Sequence, residues 1–189
     1  MFLNPAPTFG PNQKLVAMND RTLEHNRPNR GPLLAAGTLL GVGMGGFVDG
    51  IVLHQLLQIH NMVSAKYPTL GVDPETALVN TEINMFWDGL FHAFTWLATA
   101  IGIALLWRAV KRPDVPLSTA ALVGSMIFGW GLFNLVEGVI DHHLLHIHHV
   151  IERLGVSVWD YAFLGSGVLM MLVGGVIMKK SGPKTSPAR

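Results

Sequence analysis

The sequence predicts an all-α protein, a single bundle of four transmembrane helices. Three observations carry this. Of 189 residues, 50% are hydrophobic and only 13% are charged, whereas soluble proteins carry about 25% charged residues; the mean hydropathy is +0.40. Four apolar stretches each exceed the roughly 20 residues that cross a bilayer. Lys and Arg are segregated between these stretches as the positive-inside rule requires.

The first 32 residues are polar and rich in Pro, Asn and Arg. They contain no apolar run of signal-peptide length. They are expected to form a cytoplasmic irregular tail (1–32), with a short helix near Gln13–His25. The transmembrane domain is expected over 33–180, followed by a second cytoplasmic tail over 181–189. Span one runs from about Leu33 to His60, span two from Met85 to Trp107, span three from Leu117 to Leu145 and span four from Trp159 to Met178. Spans one and three, at about 28 residues and roughly 42 Å, should enter the headgroup region at one end.

Lys14, Arg21, Arg27 and Arg30 precede span one; Arg108, Lys111 and Arg112 lie between spans two and three; Lys179, Lys180, Lys184 and Arg189 follow span four. Only Lys66 and Arg153 fall on the other side. Both termini are therefore expected in the cytoplasm, with the chain in the inner (plasma) membrane. Trp87, Trp107 and Trp159 lie at span ends, where interfacial anchors belong. Gly37, Gly41 and Gly45 recur every four residues along span one, with Gly46 and Gly50 as a second pair. Small residues at this spacing let membrane helices approach closely, within the bundle or between copies.

The absence of cysteine excludes disulfides, thiolate metal sites, iron–sulfur clusters and a Cys nucleophile. Ser157 and Ser166 have no spacing that supports a Ser-His-Asp hydrolase. The formal net charge of +1 says little about partners; no nucleic acid partner is expected.

The informative residues are polar ones inside apolar spans, each costing several kcal/mol unless it faces the bundle interior or water. Span one carries Asp49, His54 and His60. Span two carries Asn84, Asp88, His92 and Thr95. Span three carries Glu137, Asp141, His142, His143, His146, His148 and His149. Span four contributes Asp160 and Tyr161 near its outer end. Counting inward at about 1.5 Å per residue puts Asp88 about 6 Å deep, His54 and His142 about 9 Å, Asp141 about 10 Å and His92 about 12 Å. On the same count Asp49 and Glu137 both lie about 16 Å deep. Groups from three helices thus share one layer of the outer half, and the inner half has none.

At about 100° per residue, Asp88 and His92 share a helical face, as do Glu137 and Asp141. His142, His146 and His149 fall on another face of span three. One centre can use both faces only if the helix bends; otherwise there are two sites, or the outermost histidines face water. "DGIVLHQLLQIHNM" from Asp49 aligns without gaps on "EGVIDHHLLHIHHV" from Glu137. Asp49 pairs with Glu137, His54 with His142 and His60 with His148. Spans one and three are therefore expected to be parallel repeats about an axis along the membrane normal.

"GFVDGIVLHQLLQIHNM", "MFWDGLFHAFTW" and "NLVEGVIDHHLLHIHHV" resemble the bacterial integral-membrane family called domain of unknown function 2243, over roughly Gly37 to Met178. The resemblance implies a four-span topology and transfers no reaction.

Imidazole and carboxylate together suit copper, iron, zinc or manganese. The expected metal ligands are His54, Asp88, His92 and His142, with Asp49, Glu137 and Asp141 as further ligands or as acceptors that orient the histidines. His60, His146, His148 and His149 are secondary candidates. Copper ranks first because the cluster faces outward, iron second and zinc third. The Glu-x-x-His spacing of ferritin-like di-iron proteins is absent. The expected function is redox chemistry or metal handling at the outer face, with a metal-dependent oxidoreductase as the enzymatic form. A proton or ion relay is the first alternative, although the inner half lacks ionisable steps. Haem held by two histidines would leave the acids unexplained. A purely structural polar network justifies so many buried charges poorly, because interhelical hydrogen bonds average about 0.6 kcal/mol. The expected partners are the bilayer, a second copy, or a respiratory or metal-handling membrane protein.

Overall fold

A computed structural model describes residues 10 and 28–182. The expected helix near Gln13–His25, and the C-terminal tail beyond 182, lie outside the described residues. Four helices are long and apolar enough to cross a membrane. α1 (Gly31–Phe47) continues without a break into a π-helical segment, Val48–Leu56. α2 spans Pro74–Val110. α3 (Thr119–Glu137) continues into a second π-helical segment, Gly138–Leu144. A short 3-10 turn, Glu152–Leu154, precedes α4, Val158–Lys180. Among the described residues there is no strand.

The helix starts follow from local chemistry. Asp73 caps α2 by accepting from the Thr76 N–H at 3.0 Å, and Pro74 fills the first turn, where no N–H is needed. The Thr76 bond holds the Asp73 carboxyl below its ordinary value. α2 therefore starts well before Met85, where its apolar part begins. Ser118 caps α3, and Ser157 with Asp160 forms a capping box on α4.

α1 packs on α2 and on α3, and α3 packs on α4; α2 and α4 do not pack on each other. The two inner helices are more buried: 44% and 39% of their most apolar windows, against 22% for α2 and 11% for α4. The inner pair meets at glycine. A Cβ on Gly41 would run into the backbone of Met126, and one on Gly129 into the backbone of Thr38. Backbone-to-backbone approach of this kind admits no side chain at either position. At the end carrying the helix termini, Leu33, Ala109, Val115 and Ala121 form an apolar plug. There Arg30 donates to the Met178 carbonyl at 2.9 Å and to Ser181 Oγ at 2.7 Å.

The opposite end, with the loops after the two π segments, is built twice in the same way. The π segments stop at aligned residues, Leu56 and Leu144. Leu57 N–H donates to Val52 O at 2.8 Å, and Leu145 N–H to Ile140 O at 2.8 Å. Ile59 N–H donates to Leu53 O at 3.1 Å, and Ile147 N–H to Asp141 O at 3.0 Å. Gln58 (φ 49°) and His146 (φ 46°) both adopt the left-handed region, which costs a non-glycine residue roughly 1–2 kcal/mol. Each chain thereby turns back over its own helix. The two loops then pair crosswise: Ala65 N–H donates to Ile147 O at 3.0 Å and Glu152 N–H to Ile59 O at 3.3 Å.

Two glycines test the packing account. Gly41→Leu should destabilise the bundle by about 1–3 kcal/mol or more, as overpacking does. A Cβ on Gly89 meets nothing within 4 Å, so Gly89→Ala should be neutral, or stabilising by up to about 1 kcal/mol. Thermal unfolding in detergent checks both; equal melting temperatures for the two variants would contradict the packing.

Candidate metal centre

Asp49 and His54 stand five residues apart, as do Glu137 and His142. In an α-helix that spacing leaves two side chains about 140° apart around the axis. A π-helix bonds i to i+5, which stacks them on one face. The two π segments therefore bring each acid onto its own histidine. His54 Nε2 lies 3.1 Å from Asp49 Oδ2, and His142 Nε2 lies 3.7 Å from Glu137 Oε1. The left-handed turns then return the chain so that His60 and His148 drop in from above. His60 Nε2 lies 3.8 Å from Asp49 Oδ1, and His148 Nε2 lies 3.1 Å from Glu137 Oε1. The His60 and His148 rings stack 4.8 Å apart and 2° from parallel, between the two halves.

All six side chains are buried, none more than 5% exposed. Five of them form two groups that could hold a metal ion, His54, His60 and His148 in one and Glu137, His142 and His148 in the other; Asp49 is in neither, although it lies 3.1 Å from His54 Nε2.

Three of the four rings are hydrogen-bonded at their outer edge, and the fourth, His142, has its Nδ1 beside a carboxylate without a hydrogen bond. His60 Nδ1 donates to the Val150 carbonyl at 3.0 Å, and His148 Nδ1 to the Met62 carbonyl at 3.0 Å. A carbonyl only accepts, so Nδ1 carries the hydrogen and Nε2 presents its lone pair inward. His54 Nδ1 faces Asp88 Oδ1 at 3.0 Å, and His142 Nδ1 lies 3.2 Å from Asp160 Oδ1. These two acids also hold the loops. Asp88 accepts from Met62 N–H at 2.8 Å, Asn61 Nδ2 at 2.8 Å and Gln55 Nε2 at 3.3 Å. Asp160 accepts from Val150 N–H at 3.1 Å and Ser157 N–H at 2.8 Å. Phe91 stacks on His54 at 5.5 Å, and Phe163 lies against His142 at 5.3 Å.

The inner edges are not satisfied. His54 Nε2, His60 Nε2, His142 Nε2, Asp49 Oδ2 and Glu137 Oε2 are buried without a hydrogen-bond partner. His54 Nε2 and Asp49 Oδ2 face each other at 3.1 Å without a hydrogen bond, and His148 Nε2 meets Glu137 Oε1 at 3.1 Å in a hydrogen bond that needs a second proton on the ring. Such pairs are repulsive unless a cation, either a metal ion or a proton, sits between them.

Of the residues expected to be ligands, the structure gathers Asp49, His54, Glu137 and His142, and adds His60 and His148 from the secondary set. Asp88 faces the ring of His54 from outside, its two oxygens occupied by loop donors. His92 does not join the group. Its Nδ1 donates to Asp88 O one turn back at 2.7 Å, and it lines a shallow pocket with Gln55, Met85 and Gly89. The α-helical phase that pairs His92 with Asp88 holds on α2, but that pair points past the centre. Asp141 is half-buried and lines a separate groove. His146 is exposed at its left-handed turn. His149 is buried, 3.5 Å from Asp160 Oδ1 through Nδ1. His143 donates to Gly138 O at 2.7 Å and packs on Tyr161.

Asp160 is the residue that reading the spans alone undervalues. A sequence signal for it exists. "WDGLF" at Trp87–Phe91 matches "WDYAF" at Trp159–Phe163. Both supply the acid and the aromatic ring that hold one histidine from behind.

No curated protein and no solved structure matches the chain. The profile of the predicted membrane proteins of DUF2243 matches residues 36–181, which takes in all four helices, both π segments and every residue of the centre. The chain belongs to that family of predicted membrane proteins.

Proposed function

We propose that this protein is an integral membrane metalloprotein whose centre holds two transition-metal ions and serves redox chemistry or metal handling at the outer face. Each half of the chain supplies one carboxylate, one histidine from a π segment and one histidine from the following loop. Asp49, His54 and His60 form one set; Glu137, His142 and His148 form the other. The observation that carries the reading is the orphaned inner edge, where His54 Nε2, His60 Nε2, His142 Nε2 and Asp49 Oδ2 are buried without hydrogen-bond partners, although three of the four rings are hydrogen-bonded at Nδ1. Four imidazoles and two carboxylates without sulfur suit copper(II), iron or zinc. Copper stays first because the centre lies opposite the basic end, which the positive-inside rule assigns to the cytoplasm.

Protons rather than metal ions are the second reading. The facing nitrogen–oxygen pairs favour it, since an imidazolium would also relieve them. Against transport, the described spans carry no ionisable side chain between Asp49 or Glu137 and the basic end.

Elemental analysis of the detergent-purified protein separates the two. Wild type should carry about two metal ions per chain. His54→Ala and His142→Ala should each lose at least one. His146→Gly should keep both and should be no less stable, because glycine adopts the left-handed turn without penalty. A metal-free wild type that takes up none on reconstitution would overturn the reading in favour of protons.

The acids behind the rings give a second test. Asp88→Asn and Asp160→Asn keep shape but weaken the hold on Nδ1. Each should lower metal affinity about 10–100-fold, as loss of a supporting carboxylate does, with helix content unchanged by circular dichroism. Unchanged affinity in both would remove these acids from the centre.

A further inference from the structure

Beside the centre lies a groove of about 480 Å³ between α2, α3 and the second π segment. Its outer walls are Trp87, Leu90 and Phe94 on one side and Val136 and Ile140 on the other, all between 40% and 56% exposed on membrane-spanning helices. A surface of this kind at mid-helix faces lipid, so the groove opens sideways into the bilayer. Its inner end is different. Phe91 and Phe133 form an aromatic floor, their rings 6.0 Å apart, and Phe91 is the residue stacked on His54. Glu137 and Asp141 are its two acids. Glu137 is only 5% exposed; its Oε1 faces His142 and His148 in the centre, and its other oxygen, Oε2, has no hydrogen-bond partner.

An acyl chain would fill the apolar walls and leave that oxygen unpaired. An aromatic floor ending in unpaired carboxylate oxygen fits a ring that carries a hydroxyl hydrogen. We infer that the groove binds a membrane-dissolved phenol or quinol, its ring between the aromatic side chains and its hydroxyl donating to Glu137. Resting on the metal-centre reading, this places the hydroxyl oxygen beside the proposed ions and makes lipid-soluble aromatic alcohols the substrate class of the centre. Flat aromatic walls accept such a ring with edge or offset contacts. The buried acceptor discriminates against analogues without a hydroxyl, because they leave it unpaired.

The test uses the full chain in lipid nanodiscs, para-nonylphenol as the probe and its methyl ether as the control, with binding heat read against empty nanodiscs. The phenol should bind saturably at about one per chain, and the ether at least tenfold more weakly. Val136→Trp and Leu90→Trp fill the groove from opposite walls at exposed positions. Each should weaken phenol binding at least tenfold while the metal content of the same preparation stays at the wild-type value. Heat no greater than that of empty nanodiscs, equal binding of phenol and ether, or unchanged binding in both filled variants would overturn the inference and leave the groove to acyl chains. Metal present without phenol binding defeats this inference alone. Phenol binding without metal defeats the metal reading and leaves the binding site standing.

Discussion

Two carboxylates and four imidazoles are buried together at one end of a largely apolar bundle, and the local structure around them serves one constraint. The rings must be oriented from behind so that every Nε2 can point inward. Two are held by backbone carbonyls of the opposite loop and one by the Asp88 carboxylate, while Asp160 lies 3.2 Å behind the fourth, His142. The same carboxylates accept the N–H groups of Met62 and Val150, the residues whose carbonyls hold the other two rings. Ring orientation, loop conformation and helix position are thereby one network. Removing one member leaves a buried polar group unpaired in a low-dielectric site, where that costs most.

The glycine contacts belong to the same account. Asp49 and Glu137 can reach a common centre only if α1 and α3 approach closely, and Gly41 and Gly129 permit backbone contact there. The left-handed residues Gln58 and His146 add local strain, held by the hydrogen bonds on either side of them. Strained turns of this kind persist where the surroundings over-determine them, as around a built site.

Much of this is legible from residues alone. Apolar length and the Lys and Arg pattern give four helices, and the Asp49 and Glu137 segments each carry the histidine, five residues on, that their acid meets. What fails is helical phase. At α-helical pitch Glu137 sits with Asp141, yet the π segment puts it with His142 five residues on. Nothing in the apolar pattern marks that change of pitch. The left-handed turn is equally invisible, and His148 reaches the centre only through it, at a non-glycine residue. Asp160 was recoverable from the paired "WDGLF" and "WDYAF" segments, a likeness between spans two and four rather than one and three.

The central claim is that the inward nitrogens and carboxylate oxygens are metal ligands. X-ray absorption at the edge of the metal that co-purifies tests it most directly. The account predicts a first shell of nitrogen and oxygen only, at about 2.0–2.2 Å, with the outer-shell scattering of imidazole. His54→Ala and His142→Ala should each diminish that imidazole signal. A sulfur shell from methionine, a porphyrin signature, or an imidazole signal untouched by both substitutions would contradict it.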